Sequence, residues 1–262
     1  MAECISTGVR TYFEEHADGE PVVLLHGKFV GGDSWRTVVP ALAKNFWVLV
    51  PDRRGHGRTP DVAGPYTYEA MAKETISFIE QTVGGPADLV GFSDGGNVAL
   101  HVARDRADLV RKVVSIGANF HRDGLHPAVQ AELRYSDPAS PVWHSVRQLY
   151  EATSPDGPEH WPVFMRKVVE MGLTGPTMAA ADLSHVDCPV LVVVGDDDIV
   201  SHMHTVMLFE SLPQAQLAVI PGVSHIVPEE NSALVSSLVL DFLGDDSLTR
   251  PTPLRFRPVP AP

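Results

Sequence analysis

Six short runs along the chain are dominated by Val, Leu and Ile: Pro21–Leu25, Phe46–Val50, Ala87–Phe92, Val110–Ile116, Pro189–Val194 and Gln216–Ile220. None shows the strict apolar–polar alternation of a half-exposed strand. A strand covered on both faces needs apolar residues on both, so these runs predict a parallel sheet clothed on two sides. Val9–Glu15 is more polar and does alternate, which predicts an antiparallel edge hairpin with the start of the chain. Between the runs, Asp33–Ala43, Thr67–Val83, Gly95–Asp105 and Glu229–Leu243 carry apolar residues three and four apart, the spacing of one helix face. Strand then helix, repeated, predicts an α/β fold with a mostly parallel, doubly wound sheet.

The rhythm breaks from about Ala118 to Leu183, where no strand is evident and most of the mid-chain aromatics collect. This division predicts an α/β core of residues 1–118 and 184–244, with residues 119–183 as a small helical cap over the sheet edge. Residues 245–262 contain Pro251, Pro253, Pro258, Pro260 and Pro262, too many for a helix or central strand, and read as an extended or disordered tail.

Candidate chemistry begins at Gly91-Phe92-Ser93-Asp94-Gly95-Gly96, between the run ending at Phe92 and the helix that follows. Gly-x-Ser-x-Gly in a strand–turn–helix setting is the nucleophile elbow. Ser93 would occupy a strained turn, and glycine at 91 and 95 would let neighbouring backbone approach. The hydroxyl is then presented at the carboxyl end of the strand. The following helix directs its amide dipoles at a developing oxyanion.

Three features downstream and upstream complete the set. Gly195-Asp196-Asp197-Asp198 follows a strand, and Asp198 takes the acid position, while Asp196 is expected to shape the turn through backbone amides. His225 follows the last strand on a loop and would act as general base, oriented by Asp198. His26-Gly27-Lys28 follows an early strand, and the amides of Lys28 and Asp94 are the candidate oxyanion donors.

Over about residues 8–243 the sequence resembles the α/β-hydrolase superfamily, on His26-Gly27, the Asp52–Thr59 turn, Gly91–Gly96, Gly195–Asp198 and His225. The resemblance implies the α/β-hydrolase fold and a structural role for the Asp52–Thr59 turn. Gly91–Gly96 together with Ile116-Gly117-Ala118-Asn119 is further similar to the biphenyl hydrolase-like, valacyclovir-hydrolysing subgroup. That likeness implies that Asp94 holds the α-amino group of an amino-acid ester. The residue's own reading is a helix-start carboxylate facing solvent or protein. Lys28 departs from the subgroup, which carries an apolar residue there, and could reach Asp94.

Composition narrows the partners. A formal charge of −13 without a Lys/Arg cluster argues against nucleic acid and anionic membranes. No apolar run approaches the roughly 20 residues that span a bilayer. With two cysteines, Cys4 and Cys188, and no secretion signal, the chain reads as cytoplasmic. His202 and His204 are expected to diverge on a helix rather than hold a metal, and no phosphate loop follows a strand. The expectation is therefore a cofactor-free, metal-free hydrolase of a small-molecule carboxylic ester, an α-amino-acid ester or lactone among them. Phe120, Trp143, Trp161 and Phe164 line its pocket or pack the cap. The same triad would serve a C–C bond hydrolase, thioesterase or perhydrolase, and a hydrolase-derived small-ligand receptor is the rival of a different class. Oligomeric state leaves no mark in the sequence.

Overall fold

The runs of Val, Leu and Ile become strands of one sheet in the computed structural model, which describes residues 2–245. The strands are β1 (Ala2–Ser6), β2 (Val9–His16), β3 (Glu20–Leu25), β4 (Phe46–Pro51), β5 (Ala87–Phe92), β6 (Val110–Ile116), β7 (Val190–Gly195) and β8 (Ala215–Ile220). Their spatial order is β1-β2-β4-β3-β5-β6-β7-β8. β1 and β2 form the expected antiparallel hairpin, β2 pairs antiparallel with β4, and every later pairing is parallel. This is the α/β-hydrolase fold. Successive residues explain the absence of alternation: Val23 and Leu25 belong to the core on one face, Val22 and Leu24 to the core on the other, and all four are fully buried.

The helices are α1 (Val39–Leu42), α2 (Tyr68–Phe78), α3 (Asp94–Asp105), α4 (Pro127–Arg134), α5 (His144–Thr153), α6 (Trp161–Thr174), α7 (His202–Ser211), α8 (Val227–Glu230) and α9 (Ser232–Gly244). Thr67 caps α2 by accepting the Ala70 amide, and the helix runs on into a wider π turn that ends at Gly84. Two expected helices are interrupted. Asp33–Ala43 splits into a 3-10 turn at Gly32–Trp35 and the short α1, because Pro40 is tolerated only in a first turn. Glu229–Leu243 splits at Asn231, whose side chain accepts the Leu234 amide and starts α9 afresh.

The segment between β6 and β7 carries α4, α5 and α6 and no strand of the sheet. It is fastened to the loop after β4 by Asp61, whose carboxylate accepts from Lys167 at 2.7 Å, His160 at 2.8 Å and Tyr66 at 2.7 Å. The proline-rich tail lies, except for Asp245, outside the described residues. No described helix is long and apolar enough to cross a membrane.

Candidate active site

Gly91, Gly95 and Gly27 determine how close β5, the start of α3 and the loop after β3 can come. A Cβ on Gly91 would collide with the Gly95 carbonyl, and one on Gly95 with the Leu25 carbonyl. A Cβ on Gly27 would lie 2.9 Å from the Phe92 ring and 3.3 Å from Ser93 Cβ. Packed against this backbone, Ser93 adopts φ +53° and ψ −119°, a conformation side-chain-bearing residues rarely take. Its amide donates to the Ile116 carbonyl at 2.7 Å, which ties the turn to β6.

Asp198 and His225 are separated from Ser93 by more than a hundred residues and meet it at the carboxyl ends of β5, β7 and β8. His225 Nε2 is 3.0 Å from Ser93 Oγ, and His225 Nδ1 is 2.8 Å from Asp198 Oδ1. A carboxylate only accepts, so Nδ1 carries the proton and Nε2 offers its lone pair to the Ser93 hydroxyl. Asp198 Oδ1 also accepts the Val200 amide at 2.9 Å. Asp196 has the expected turn role: its Oδ1 accepts the Gly222 and Val223 amides at 2.7 and 3.2 Å. Asp197 is exposed. Glu230, unanticipated in the sequence, grips the histidine loop by accepting the Ser224 amide at 2.6 Å and the Ser224 hydroxyl at 2.5 Å. Those hydrogen bonds, both from Ser224, hold its carboxyl below the ordinary carboxylate range.

The loop carrying Lys28 is braced from behind. The Arg53 guanidinium, from a buried residue, donates to the carbonyls of His26 and of Gly27, the latter at 3.0 Å, and the Arg53 amide donates to His26 Nε2 at 2.9 Å. Burial, then Arg53, lowers the pKa of His26 well below the usual histidine value, so the ring is neutral. Among the described residues the amides of Lys28 and Asp94 meet no protein acceptor.

Asp94 is buried at the first position of α3. Its Oδ1 accepts the Tyr68 hydroxyl at 2.7 Å and lies 3.9 Å from Lys28 Nζ. Burial and the neighbouring Asp94 push the Tyr68 hydroxyl well above its usual pKa, keeping it a donor. Asp94 therefore faces protein groups as well as the site, and neither Tyr68 nor Arg53 carries a signal in the sequence.

A cavity of about 340 Å³ opens above Ser93, bordered by Lys28, Tyr68, Asp94 and His225 and otherwise mainly by apolar side chains. Of the four expected pocket aromatics only Trp143 borders it, with its ring 5.0 Å from Phe29. Phe120 is stacked on His204 at 4.1 Å, away from the cavity. Trp161 and Phe164 pack with Tyr150 in the core, and Phe164 borders a separate cavity of about 70 Å³. The apolar stripe of α6 turns these rings inward. The cavity wall instead combines aliphatic side chains such as Leu125, Val129, Leu133 and Ile199 with the rings of Phe29, Tyr68, Phe92 and Trp143.

The remaining histidines and cysteines stand apart from this arrangement. His202 Nε2 meets the Gly195 carbonyl at 3.1 Å while His204 packs on Phe120, so the two rings diverge. Cys4 and Cys188 are both free thiols. Burial pushes the Cys188 thiol up to about 12.

Residues 22–238 match the sequence profile of the alpha/beta hydrolase family. The chain belongs to that family. Among its relatives is the 2-hydroxymuconate semialdehyde hydrolase of Pseudomonas sp. (strain CF600), 28% identical with 93% of each chain covered. The non-heme chloroperoxidase CPO-A1 of Kitasatospora aureofaciens is 27% identical, covering 90% of this chain and 96% of its own. The meta-cleavage product hydrolase CumD of Pseudomonas fluorescens IP01 shares the fold, with a TM-score of 0.76 at 22% identity over 94% of this chain and 98% of that one. These alpha/beta hydrolase relatives carry different chemistries in their names, so membership defines the scaffold and leaves the substrate to the site.

Proposed function

We propose that the protein is a serine hydrolase that cleaves a small-molecule carboxylic ester through an acyl-enzyme. The observation that carries this reading is the line from Asp198 Oδ1 through His225 to Ser93 Oγ, with contacts of 2.8 and 3.0 Å, beneath a largely apolar cavity. Ser93 Oγ attacks the ester carbonyl as His225 Nε2 takes its proton. The carbonyl oxygen, now negative, lies against the Lys28 and Asp94 amides. Collapse of this intermediate expels the alcohol, which receives the proton from His225. Water then gives a proton to His225 and attacks the acyl-enzyme, and Ser93 is regenerated as the acid leaves. Residues 119–183 serve as the cap, since Leu125, Val129, Leu133, Trp143, Val146 and Gly172 from that interval wall the cavity.

A second reading, hydrolysis of a carbon–carbon bond beside a carbonyl, is favoured by the semialdehyde hydrolase relative. It uses the same residues on a different bond.

A fluorophosphonate probe and a series of 4-nitrophenyl esters test the proposal, with Ser93→Ala as control. Fast labelling and turnover that both vanish in Ser93→Ala are expected. Labelling that persists in Ser93→Ala would refute the assignment. Labelling of Ser93 with negligible turnover of every ester would favour the carbon–carbon hydrolase or a ligand receptor.

A further inference from the structure

Two charged side chains are enclosed at the Ser93 cavity, Lys28 at 15% exposure and Asp94 at 4%. The other charged residues on its border, Glu132 and Glu229, are exposed, where solvent screens them. Among the described residues, Lys28 is the member of the enclosed pair whose side chain makes no hydrogen bond, and its one ion pair, to Asp94 Oδ1, spans 3.9 Å, beyond hydrogen-bonding reach. Asp94 Oδ1 already accepts from Tyr68, its Oδ2 is without a partner among the described residues but buried out of reach of solvent, and the carboxylate favours the protonated form of the buried Arg53 guanidinium. Glu74, the next carboxylate toward Arg53, is engaged by Arg54. His26 and His56 are held neutral by burial and by Arg53. Two cations, Lys28 and Arg53, thus oppose one carboxylate at this end of the cavity.

Space has also been made for the ammonium. Gly172 lies within α6, where glycine is less favourable than alanine. A Cβ at that position would fall on Lys28 Nζ. The helix forgoes a side chain at the point where the ammonium meets the cavity wall.

The geometry points to Lys28 Nζ as an anchor for a carboxylate carried by the substrate. The preferred substrate is then an ester with a free acid group, not an α-amino-acid ester held by Asp94. A carboxylate there would supply the charge-assisted hydrogen bonds that the protein leaves unmade. This inference rests on the serine-hydrolase reading and names the substrate class of the same site.

Two matched pairs test it by kcat/KM. On the acyl side the pair is mono-4-nitrophenyl glutarate and 4-nitrophenyl valerate; on the alcohol side it is 4-acetoxybenzoate and 4-acetoxybenzamide. At least one pair should favour the acid by roughly tenfold or more in the wild type. That ratio should collapse toward one in Lys28→Met, which keeps the backbone amide. It should also fall in Gly172→Ala, whose Cβ crowds the ammonium. Each ratio is taken within one variant, so a general loss of catalytic power cancels. Absence of preference in both pairs, or a preference that survives in Lys28→Met and Gly172→Ala, would overturn the anchor. So would a preference for an α-amino-acid ester over its N-acetyl analogue, which would hand the role to Asp94. Turnover without preference sinks only this inference. No Ser93-dependent turnover of any ester sinks the serine-hydrolase reading and the anchor with it.

Discussion

Replacing Gly117 by alanine separates the placement of His225 from the stability of the fold. Gly117 follows β6 with φ +58°, and its amide donates to the Val193 carbonyl at 2.8 Å. An added Cβ would sit 3.1 Å from His225 Cε1, 3.2 Å from His225 Nδ1 and 3.3 Å from Asp198 Oδ2. Carbon contacts are comfortable at about 3.5–4.0 Å, so the ring and the carboxylate must each yield by several tenths of an ångström. They are joined by a 2.8 Å hydrogen bond, and the ring holds Ser93 Oγ at 3.0 Å, so displacement degrades both contacts together. A misplacement of about 1 Å can cost on the order of 10²-fold, and half of that shift would cost about tenfold. Separately, the left-handed backbone costs a Cβ-bearing residue about 1–2 kcal/mol.

Gly84 supplies the control. It has φ +72°, and a Cβ added there would meet no atom within 4 Å, so alanine incurs the backbone cost without touching the site. Both variants should lose similar stability, at about 2–4 °C per kcal/mol for a chain of this size. Only Gly117→Ala should lose about tenfold in kcat/KM on a 4-nitrophenyl ester, with the loss in kcat. Thermal unfolding followed beside steady-state kinetics reads both quantities. Full activity in Gly117→Ala, or an equal loss in Gly84→Ala, would refute the argument.

Asp198→Asn should lower kcat by roughly 10³–10⁴, because the amide no longer fixes the His225 tautomer; fluorophosphonate labelling should slow in step, and unchanged labelling would count against the role. Trp161→Ala should cost about 3–5 kcal/mol in denaturant unfolding as a core truncation, whereas Trp143→Ala, at the cavity wall, should alter KM across an acyl-chain series with much less effect on stability. His56 is buried and held neutral, its pKa lowered to about 3 by burial and then by Arg53. The unfolded chain takes up that proton below about pH 6.5, so the stabilising contribution is complete above that pH and is lost as pH falls toward about 3. The slope reaches about 1.4 kcal/mol per pH unit, and His56→Gln should flatten the acid limb of a stability–pH curve by about that amount.

The sheet and the line of Ser93, His225 and Asp198 are legible in the sequence because both are written in short local patterns. Uninterrupted Val, Leu and Ile reveal two-sided burial, and glycine around Ser93 marks a turn that only close backbone approach explains. Helix ends are less legible. The apolar spacing continues through Pro40 and Asn231, and periodicity does not register a residue that restarts a helix. The aromatics mislead for another reason. Apolarity reports that a ring avoids water, not whether it faces a cavity or a packed core. Trp161 and Phe164 take the core, and Leu125, Val129 and Leu133 take the wall. Arg53, Tyr68 and Glu230 have no local signature, since each acts on a residue far from it in the fold's layout or across a loop.

Arg53 shows how much can be hidden in a turn read as structural. The Asp52–Thr59 segment does have that role: Asp52 accepts the Gly32 amide at 2.6 Å and the Arg58 amide at 2.7 Å, pinning two loops together. Arg53 extends the same segment under the loop that carries Lys28. Its guanidinium donates to consecutive carbonyls, His26 and Gly27. Holding those carbonyls on the far side orients the Lys28 amide that follows them. A buried guanidinium is costly unless its donors are used and its charge is compensated. Here the carbonyls accept from Nη2, Met71 Sδ accepts from Nη1 and Nε is left without a partner among the described residues, while Asp94 is the first carboxylate that favours the charge. Asp94 thereby helps balance a cation beneath the site, and among the described residues the Lys28 ammonium has only its 3.9 Å ion pair to the same carboxylate. The backbone of residues 28 and 94 and their side chains therefore divide the work. In the proposed hydrolysis the amides serve the chemistry at Ser93, while the charges, biased by Arg53, are proposed to set which substrate the cavity takes.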